Sequence, residues 1–320
     1  MALNAALLPG LKKDKRHREY YFLNRRTPLI LVSIVTPSYN QRRFIERTLN
    51  SVAMQRTQDI AVEHLVFDGG SQDETVDVLK RSPHPLTWFS EPDRGQAHAV
   101  NKGLQAARGE IIGWLNSDDV YYPGAIQRVV EVFRRHPQVD VVYGLADHID
   151  LEDRPFEDYP TEPWSAERLL ETCYLCQPAV FFRPSVVERF GLLDESLHYC
   201  LDYEYWLRLA RGGANFYYLS EKLAGSRLYA DNKTLRDRVT VVRETNDMFR
   251  RTLGRVPSPW LFHYAYIHMD VAPWLRSRNK YLYGAQLLGF LFYAAWYWNH
   301  AMDSETWNRL RELFKKLKTR

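Results

Sequence analysis

Hydrophobic and polar positions alternate between short apolar runs and longer amphipathic stretches through the first half of the chain. Leu29-Ile30-Leu31-Val32-Ser33-Ile34-Val35-Thr36 is rich in β-branched residues and reads as a central parallel strand. After it, Phe44, Ile45, Leu49, Val52 and Ala53 recur at helical spacing. Val62 to Phe67 predicts a second strand, and Ser71 through Glu74 has the spacing of a capping box for the next helix. Leu86 to Ser90 predicts a third strand, Ala97 to Ala107 a helix, and Ile111 to Leu115 a fourth strand. A helix from the Pro123 turn to about Arg135 and a strand over Val139 to Gly144 complete this half. Strands alternating with helices of ordinary length predict an α/β layer, Rossmann-like and doubly wound, with a mostly parallel sheet.

The pattern then changes. Asp147 to Pro163 is acidic and spaced by prolines, which suits a hairpin or a loop crossing the site. Gln177 to Pro184 reads as a strand closed by proline, and Leu201 to Ala210 as a strongly apolar helix with Asp202 and Glu204 in its first turn. Beyond Pro257 aromatic residues multiply. Tyr281 to Trp298 is nearly all apolar, with Arg276, Arg278 and Lys280 before it and Lys315, Lys316, Lys318 and Arg320 after it. Its length is at the lower limit of the roughly 20 residues a membrane span requires. Gln286 and the density of Tyr and Trp favour either an interfacial helix or a helical hairpin packed on protein. The expected organisation is an extension over residues 1–28, a catalytic-type domain over 29–250 and a helical C-terminal appendage over 251–320.

Composition narrows the classes. A chain of 320 residues can bury a substantial core. Its formal net charge of +4, without a basic block interleaved with aromatics, argues against a nucleic-acid partner. Cys173 and Cys176 form a C-x-x-C, but no second pair or His cluster completes a zinc site, so reduced thiols and a reducing cytoplasm are expected. The apolar patch Ala5 to Leu11 precedes the basic run Lys12 to Arg18, the reverse of a signal peptide's order.

Candidate chemistry collects at strand ends. Tyr39 and Asn40, Asp68, Glu91 to Gln96, and Asn116 to Asp119 would converge on the carboxyl edge of the sheet, where open α/β folds bind ligands. Carboxylates on a short loop suit a hard divalent cation holding a diphosphate. The same side chains could instead cap the helix that Pro123 helps start. Asp202 and Glu204 likewise read either as charge stabilising a helix start or as a general base. No G-x-G-x-x-G follows the first strand and no Walker loop occurs, which argues against a dinucleotide oxidoreductase or a P-loop NTPase.

Taken in order, Thr36-Pro37-Ser38-Tyr39-Asn40, Asp68 to Thr75, Glu91 to Gln96 with Asn101-Lys102-Gly103, Asn116-Ser117-Asp118-Asp119, Gln177-Pro178-Ala179 and Asp202 to Arg208 resemble the family 2 glycosyltransferases. These are inverting enzymes of the GT-A fold, here of the kind that builds bacterial surface polysaccharides. The resemblance implies that Pro37, Tyr39 and Asn40 line a base pocket and that Asp68 accepts a hydrogen bond from base or ribose. Gln96 and Asn101 would face the nucleotide. Asn116 takes the first place of the family's Asp-x-Asp, with Ser117 beside it, and Asp118 the last, as ligand of Mg²⁺ or Mn²⁺. Asp202 would be the general base, although Leu201 replaces the usual Glu before it, with Glu204, two residues on, the fallback. Arg227 and Lys233 would stabilise the diphosphate, while Tyr229 stands where a His is common. The implied partners are a nucleotide-sugar donor, with uridine the expected base, and a glycan or polyprenyl-linked acceptor. The implied setting is the cytoplasm, at the inner face of the membrane, with surface contact through residues 276–300. Two other readings compete: a nucleotidyltransferase of similar architecture, and a degenerate transferase fold that binds nucleotide-sugar or glycan without turnover.

Overall fold

The computed structural model describes residues 29–271 and 280–318. The extension over 1–28, Arg276 and Arg278 lie outside the described residues. In chain order the sheet-bearing part runs β1 (Ile30–Ser38), α1 (Ile45–Ala53), β2 (Ile60–Asp68), α2 (Thr75–Arg81), β3 (Thr87–Ser90), α3 (Gln96–Ala106), β4 (Ile111–Trp114), β5 (Val120–Tyr121), α4 (Ala125–Arg135) and β6 (Val141–Ile149). It continues through β7 (Pro155–Asp158), α5 (Ala166–Leu169), β8 (Val180–Phe182), α6 (Pro184–Phe190), α7 (Leu201–Arg211) and β9 (Phe216–Arg227). The helical part is α8 (Lys233–Arg236), α9 (Arg238–Leu253), α10 (Ser258–Val271), α11 (Lys280–Ala294) and α12 (Ser304–Lys318).

Nine strands form one mixed sheet in the order β3-β2-β1-β4-β8-β6-β9-β5, with β7 on β6. β1 pairs in parallel with β2 on one side and β4 on the other. Seven consecutive residues of β1 are buried, as expected of a strand covered on both faces. Helix α4 shows why the amphipathic stretches fold as they do. Ile126, Val129, Val130 and Phe133 form its buried stripe, while Arg134 and Arg135 sit in the last turn, where the helix dipole favours cations. The long ladders, β1·β2 and β6·β9, are parallel, while β8 runs antiparallel between β4 and β6.

Two strands depart from the sequence reading: β5 has two residues and β9 is partly exposed with register shifts against β6, so neither presents a strong period. β7, exposed along its length, pairs antiparallel with β6 and makes the expected hairpin. β9 matters most here. Its antiparallel pairing with β5 aligns Val120 with Gly225 and Tyr121 with Ala224, which carries Arg227 to the acidic loop ahead of β5. A side chain at Gly225 would come 2.7 Å from Ile149, so the close approach requires glycine.

One apolar cluster runs from Val35 and Trp114 under the sheet through Tyr203 and Trp206 to Phe249, Leu261, Leu287, Leu291, Trp298 and Leu310. Burying a Leu- or Phe-sized side chain contributes roughly 1.5–3 kcal/mol, enough for this handful to hold the helices on the domain. The expected boundary at residue 250 falls inside α9. After α11 comes a single wide π turn, Ala295–Asn299. Trp298 Nε1 donates to Asp247 at 2.7 Å, and Asn299 exchanges two hydrogen bonds with the backbone of Val256. Among the described residues no helix is long and apolar enough to cross a membrane.

Candidate active site

The carboxyl ends of β1, β2 and β3 stand side by side, with Ser38 opposite Asp68 and Asp68 opposite Ser90. Asp68 is 3% exposed and accepts hydrogen bonds from the backbone of Gly70 at 3.1 Å and Ser71 at 2.9 Å, and from Ser90 Oγ at 2.7 Å. Its carboxylate therefore shapes the turn after β2. Asn40 adopts a left-handed conformation (φ 52°), which Asn tolerates better than most residues. There its N–H donates to Ser71 Oγ at 2.7 Å and its Oδ1 accepts from Gln72 N at 2.9 Å. Ser71 is thus committed to Asn40 and Asp68, and the expected capping box does not form. Asp73 does that work, accepting from Thr75 N at 3.0 Å. Pro37 is buried within β1, while Tyr39, just past its end, is exposed.

The acidic loop follows β4. Asn116 Oδ1 accepts from Gln96 Nε2 at 2.8 Å and from Trp114 Nε1 at 3.0 Å, so Gln96 reaches the loop from the start of α3. Ser117 is buried, and Thr48 Oγ1 donates to the Asp119 carbonyl at 2.8 Å. Burial raises the Asp118 carboxyl above its usual range. Tyr229 donates to Asp118 Oδ2 at 3.2 Å, and burial followed by that charge pushes the Tyr229 phenol up to about 12. Asp119 is pushed well up by burial first and then by the charge of Asp118. A buried carboxylate whose ionisation a neighbouring acid opposes marks a place where an added positive charge would be stabilising.

Asp202 sits in the first turn of α7, with Tyr203 N donating to its Oδ1 at 2.8 Å. Burial raises its carboxyl to about 6. Burial also pushes up the Cys176 thiol, and the charges of Asp119 and Asp202 both add to that shift. One buried thiol thus lies within electrostatic reach of both acids, which come from positions 83 residues apart. Cys173, Cys176 and Cys200 are all free thiols.

The glycosyl transferase family 2 model matches residues 33–187. An uncharacterized glycosyltransferase of Mycobacterium tuberculosis is 32% identical over 56% of this chain and 68% of its own length. The chain belongs to glycosyltransferase family 2. An uncharacterized glycosyltransferase of Rickettsia prowazekii is 29% identical over 64% of this chain and 66% of the relative, so this chain spans just under two thirds of that protein. Two solved structures share the GT-A fold. S. aureus TarS 1-349 in complex with UDP-GlcNAc superposes with a TM-score of 0.56 at 15% identity, covering 83% of this chain and 81% of that one. The mannosyltransferase PcManGT from Pyrobaculum calidifontis, in complex with GDP-Man and Mn²⁺, gives 0.55 at 18% identity over 95% and 86%.

Four side chains to which the resemblance gives roles are engaged within the family 2 chain itself. Asn101 turns its amide to the backbone, accepting from Leu193 N at 2.9 Å and donating to Leu193 O at 3.0 Å, and so clamps a turn. Arg227 has a wholly enclosed side chain. It donates from Nε to Asp118 O at 2.7 Å, binds the Asp150 carbonyl and the Asp153 carboxylate, and stacks 4.7 Å from the Phe44 ring. Its own N–H donates to Asp119 Oδ1 at 2.8 Å, so Arg227 fixes the acidic loop. Glu204 is bound by Arg208 of the same helix at 2.8 and 3.0 Å. Two residues beyond Asp202, it points about 200° away around the helix. Lys233 donates to the His198 carbonyl at 2.6 Å.

One residue escaped the sequence reading. Glu244 of α9 accepts from three consecutive backbone N–H groups, His198 at 2.9 Å, Tyr199 at 2.6 Å and Cys200 at 2.9 Å, directly ahead of Asp202. No local pattern marks it, because its partners lie more than 40 residues away.

The fit of a divalent cation follows from the donor set. Among the described residues no group of three or more His, Cys, Asp or Glu could hold a metal alone. Asp118 offers a desolvated carboxylate beside a second acid, while Arg227 is enclosed behind the loop. That set suits Mg²⁺ or Mn²⁺, which are commonly held by one or two carboxylates with substrate phosphates and water completing the shell.

Proposed function

We propose that this protein is an inverting glycosyltransferase that moves a sugar from a nucleotide-diphosphate donor, a UDP-sugar, to a hydroxyl of a glycan or lipid-linked glycan. The observation that carries the reading is Asp202, a desolvated carboxylate raised to about 6 at a helix start near the acidic loop. A base in that range is ionised at neutral pH yet basic enough to take a proton in the transition state. Asp202 removes the proton from the acceptor hydroxyl as its oxygen bonds to the anomeric carbon. The bond from that carbon to the diphosphate breaks on the opposite side, which inverts the configuration.

Tyr39 packs against the base, and Pro37, Asn40 and Asp68 hold the pocket's floor. Gln96, Asn116 and Ser117 orient the donor beside Asp118. A divalent ion bound by Asp118 supplies charge neutralisation for the departing diphosphate. TarS, solved with UDP-GlcNAc on the same fold, supports a uridine donor. A polyprenyl-linked acceptor would place the enzyme in the cytoplasm at the inner face of the membrane, touching it through residues 276–300.

The test is donor consumption across a panel of UDP- and GDP-sugars, with and without Mn²⁺, in wild type and Asp202→Asn. Turnover lost in the variant supports the reading. Tight donor binding with no turnover in wild type would favour a degenerate sugar-binding domain, which the departures at Asn116, Leu201 and Tyr229 favour.

A further inference from the structure

From Tyr281 to Met302 the chain carries no Lys, Arg, Asp or Glu. The structure divides this stretch cleanly. Leu287, Leu291, Ala294, Ala295 and Trp298 are buried against the rest of the protein. Leu282, Phe292, Tyr293, Trp296 and Tyr297 are exposed, Trp296 by 67%. Ala285 and Gly289, also exposed, join them into a stripe recurring every three or four residues along α11 and its π turn. The stripe is not a frayed end. Trp298 and Asn299 pin the turn to Asp247 and Val256, while Tyr293 stacks on Tyr297 at 5.8 Å and Phe292 meets Trp307 of α12 at 5.8 Å.

Charge brackets the stripe along the chain. Residues 272–320 contain nine Lys or Arg and three Asp or Glu, a net +6 against +4 for the whole protein, which leaves the remainder at −2. The cationic excess of the molecule therefore belongs to the segment that carries its exposed aromatic face. Trp and Tyr with flanking cations suit the boundary between headgroups and acyl chains of an anionic bilayer. A second copy of the chain would meet the same excess of positive charge.

We infer that the face formed by Leu282, Phe292, Tyr293, Trp296 and Tyr297 is a docking surface for an anionic lipid bilayer, lying in the plane of the interface without spanning it. The surface is remote in sequence from the donor-binding residues, so docking and sugar transfer can be read separately.

The test uses the full chain and unilamellar vesicles of phosphatidylglycerol and phosphatidylethanolamine, with pure phosphatidylcholine as reference. Sedimentation with the anionic vesicles is expected, weakening as salt rises. The double variant Trp296→Ser/Tyr297→Ser should reduce partitioning about tenfold or more while leaving donor-induced thermal stabilisation as in wild type. Absence of sedimentation, equal binding to phosphatidylcholine, or retained binding by the variant would overturn the inference. So would a wild-type dimer in light scattering that the double variant converts to monomer, since a second copy would then cover the face. Should the double variant unfold, Phe292→Ser alone provides the same comparison. Vesicle binding without sugar transfer would refute the proposed reaction and leave this surface standing.

Discussion

Replacing Asp202 with Asn tests the base through stability as well as rate. Moving its carboxyl from 3.8 to about 6 disfavours the ionised form by about 3 kcal/mol, at about 1.4 kcal/mol per pH unit. The folded protein holds this proton more tightly than the unfolded chain does. Asp202 therefore contributes its stabilisation fully below pH 3.8 and loses it as pH rises through about 6. Asn has no such titration but keeps an oxygen for Tyr203 N. The stability of the variant relative to wild type should accordingly increase with pH, by about 1.4 kcal/mol between pH 5 and 7.5. Urea unfolding of both proteins at the two pH values measures this difference. Turnover moves the other way. The variant should lose ~10²–10⁴-fold in kcat/KM, and the wild-type profile should show an acid limb near pH 6. A relative stability that stays flat across that window, or a variant that keeps its turnover, would refute the account of a desolvated base.

Other expectations concern the residues around it. Glu244→Ala leaves three backbone donors ahead of α7 without their acceptor. It should lower kcat ~10-fold or more, with donor KM nearly unchanged and the acid limb displaced, as steady-state kinetics across pH would register. Arg227→Ala removes the cation between Asp118 and the Asp153 turn, and unfolding titrations should show a loss of about 3–5 kcal/mol. A loss under about 1 kcal/mol, typical of an exposed pair, would contradict the clamp. Asp118→Asn should abolish the Mn²⁺-dependent part of the thermal shift given by UDP-sugar, and chelation of the wild type should reproduce that loss.

Much of this was legible in the chain because its signals are local. β1 and β4 are near-continuous apolar runs and β2 ends in one, Leu65 to Phe67, so their ends, and with them Asp68 and Asp118, follow directly. Asp202 stands out as an acid opening an apolar helix. What escaped depends on distant partners. β9 is a strand because β6 and β5 flank it, although its own residues are half exposed. Arg227 resembles a surface cation in sequence, and only that pairing encloses it between Phe44, Asp118 and Asp153. Asn101 and Glu204 show the same effect, since a turn at Leu193 and a neighbour at Arg208 engage the groups that the resemblance would assign to nucleotide and to proton transfer. The helical tail's apolar character was plain, but which of its faces is buried depends on Asp247, Val256 and the core beneath.

The bond between Glu244 and the amides of 198–200 has a consequence for inheritance. The tail of this chain is not an interchangeable part, because α9 also steadies the turn that leads into Asp202. A chimera keeping residues 29–237 and borrowing foreign helices would mimic a damaged reaction centre, though every side chain there had been left untouched.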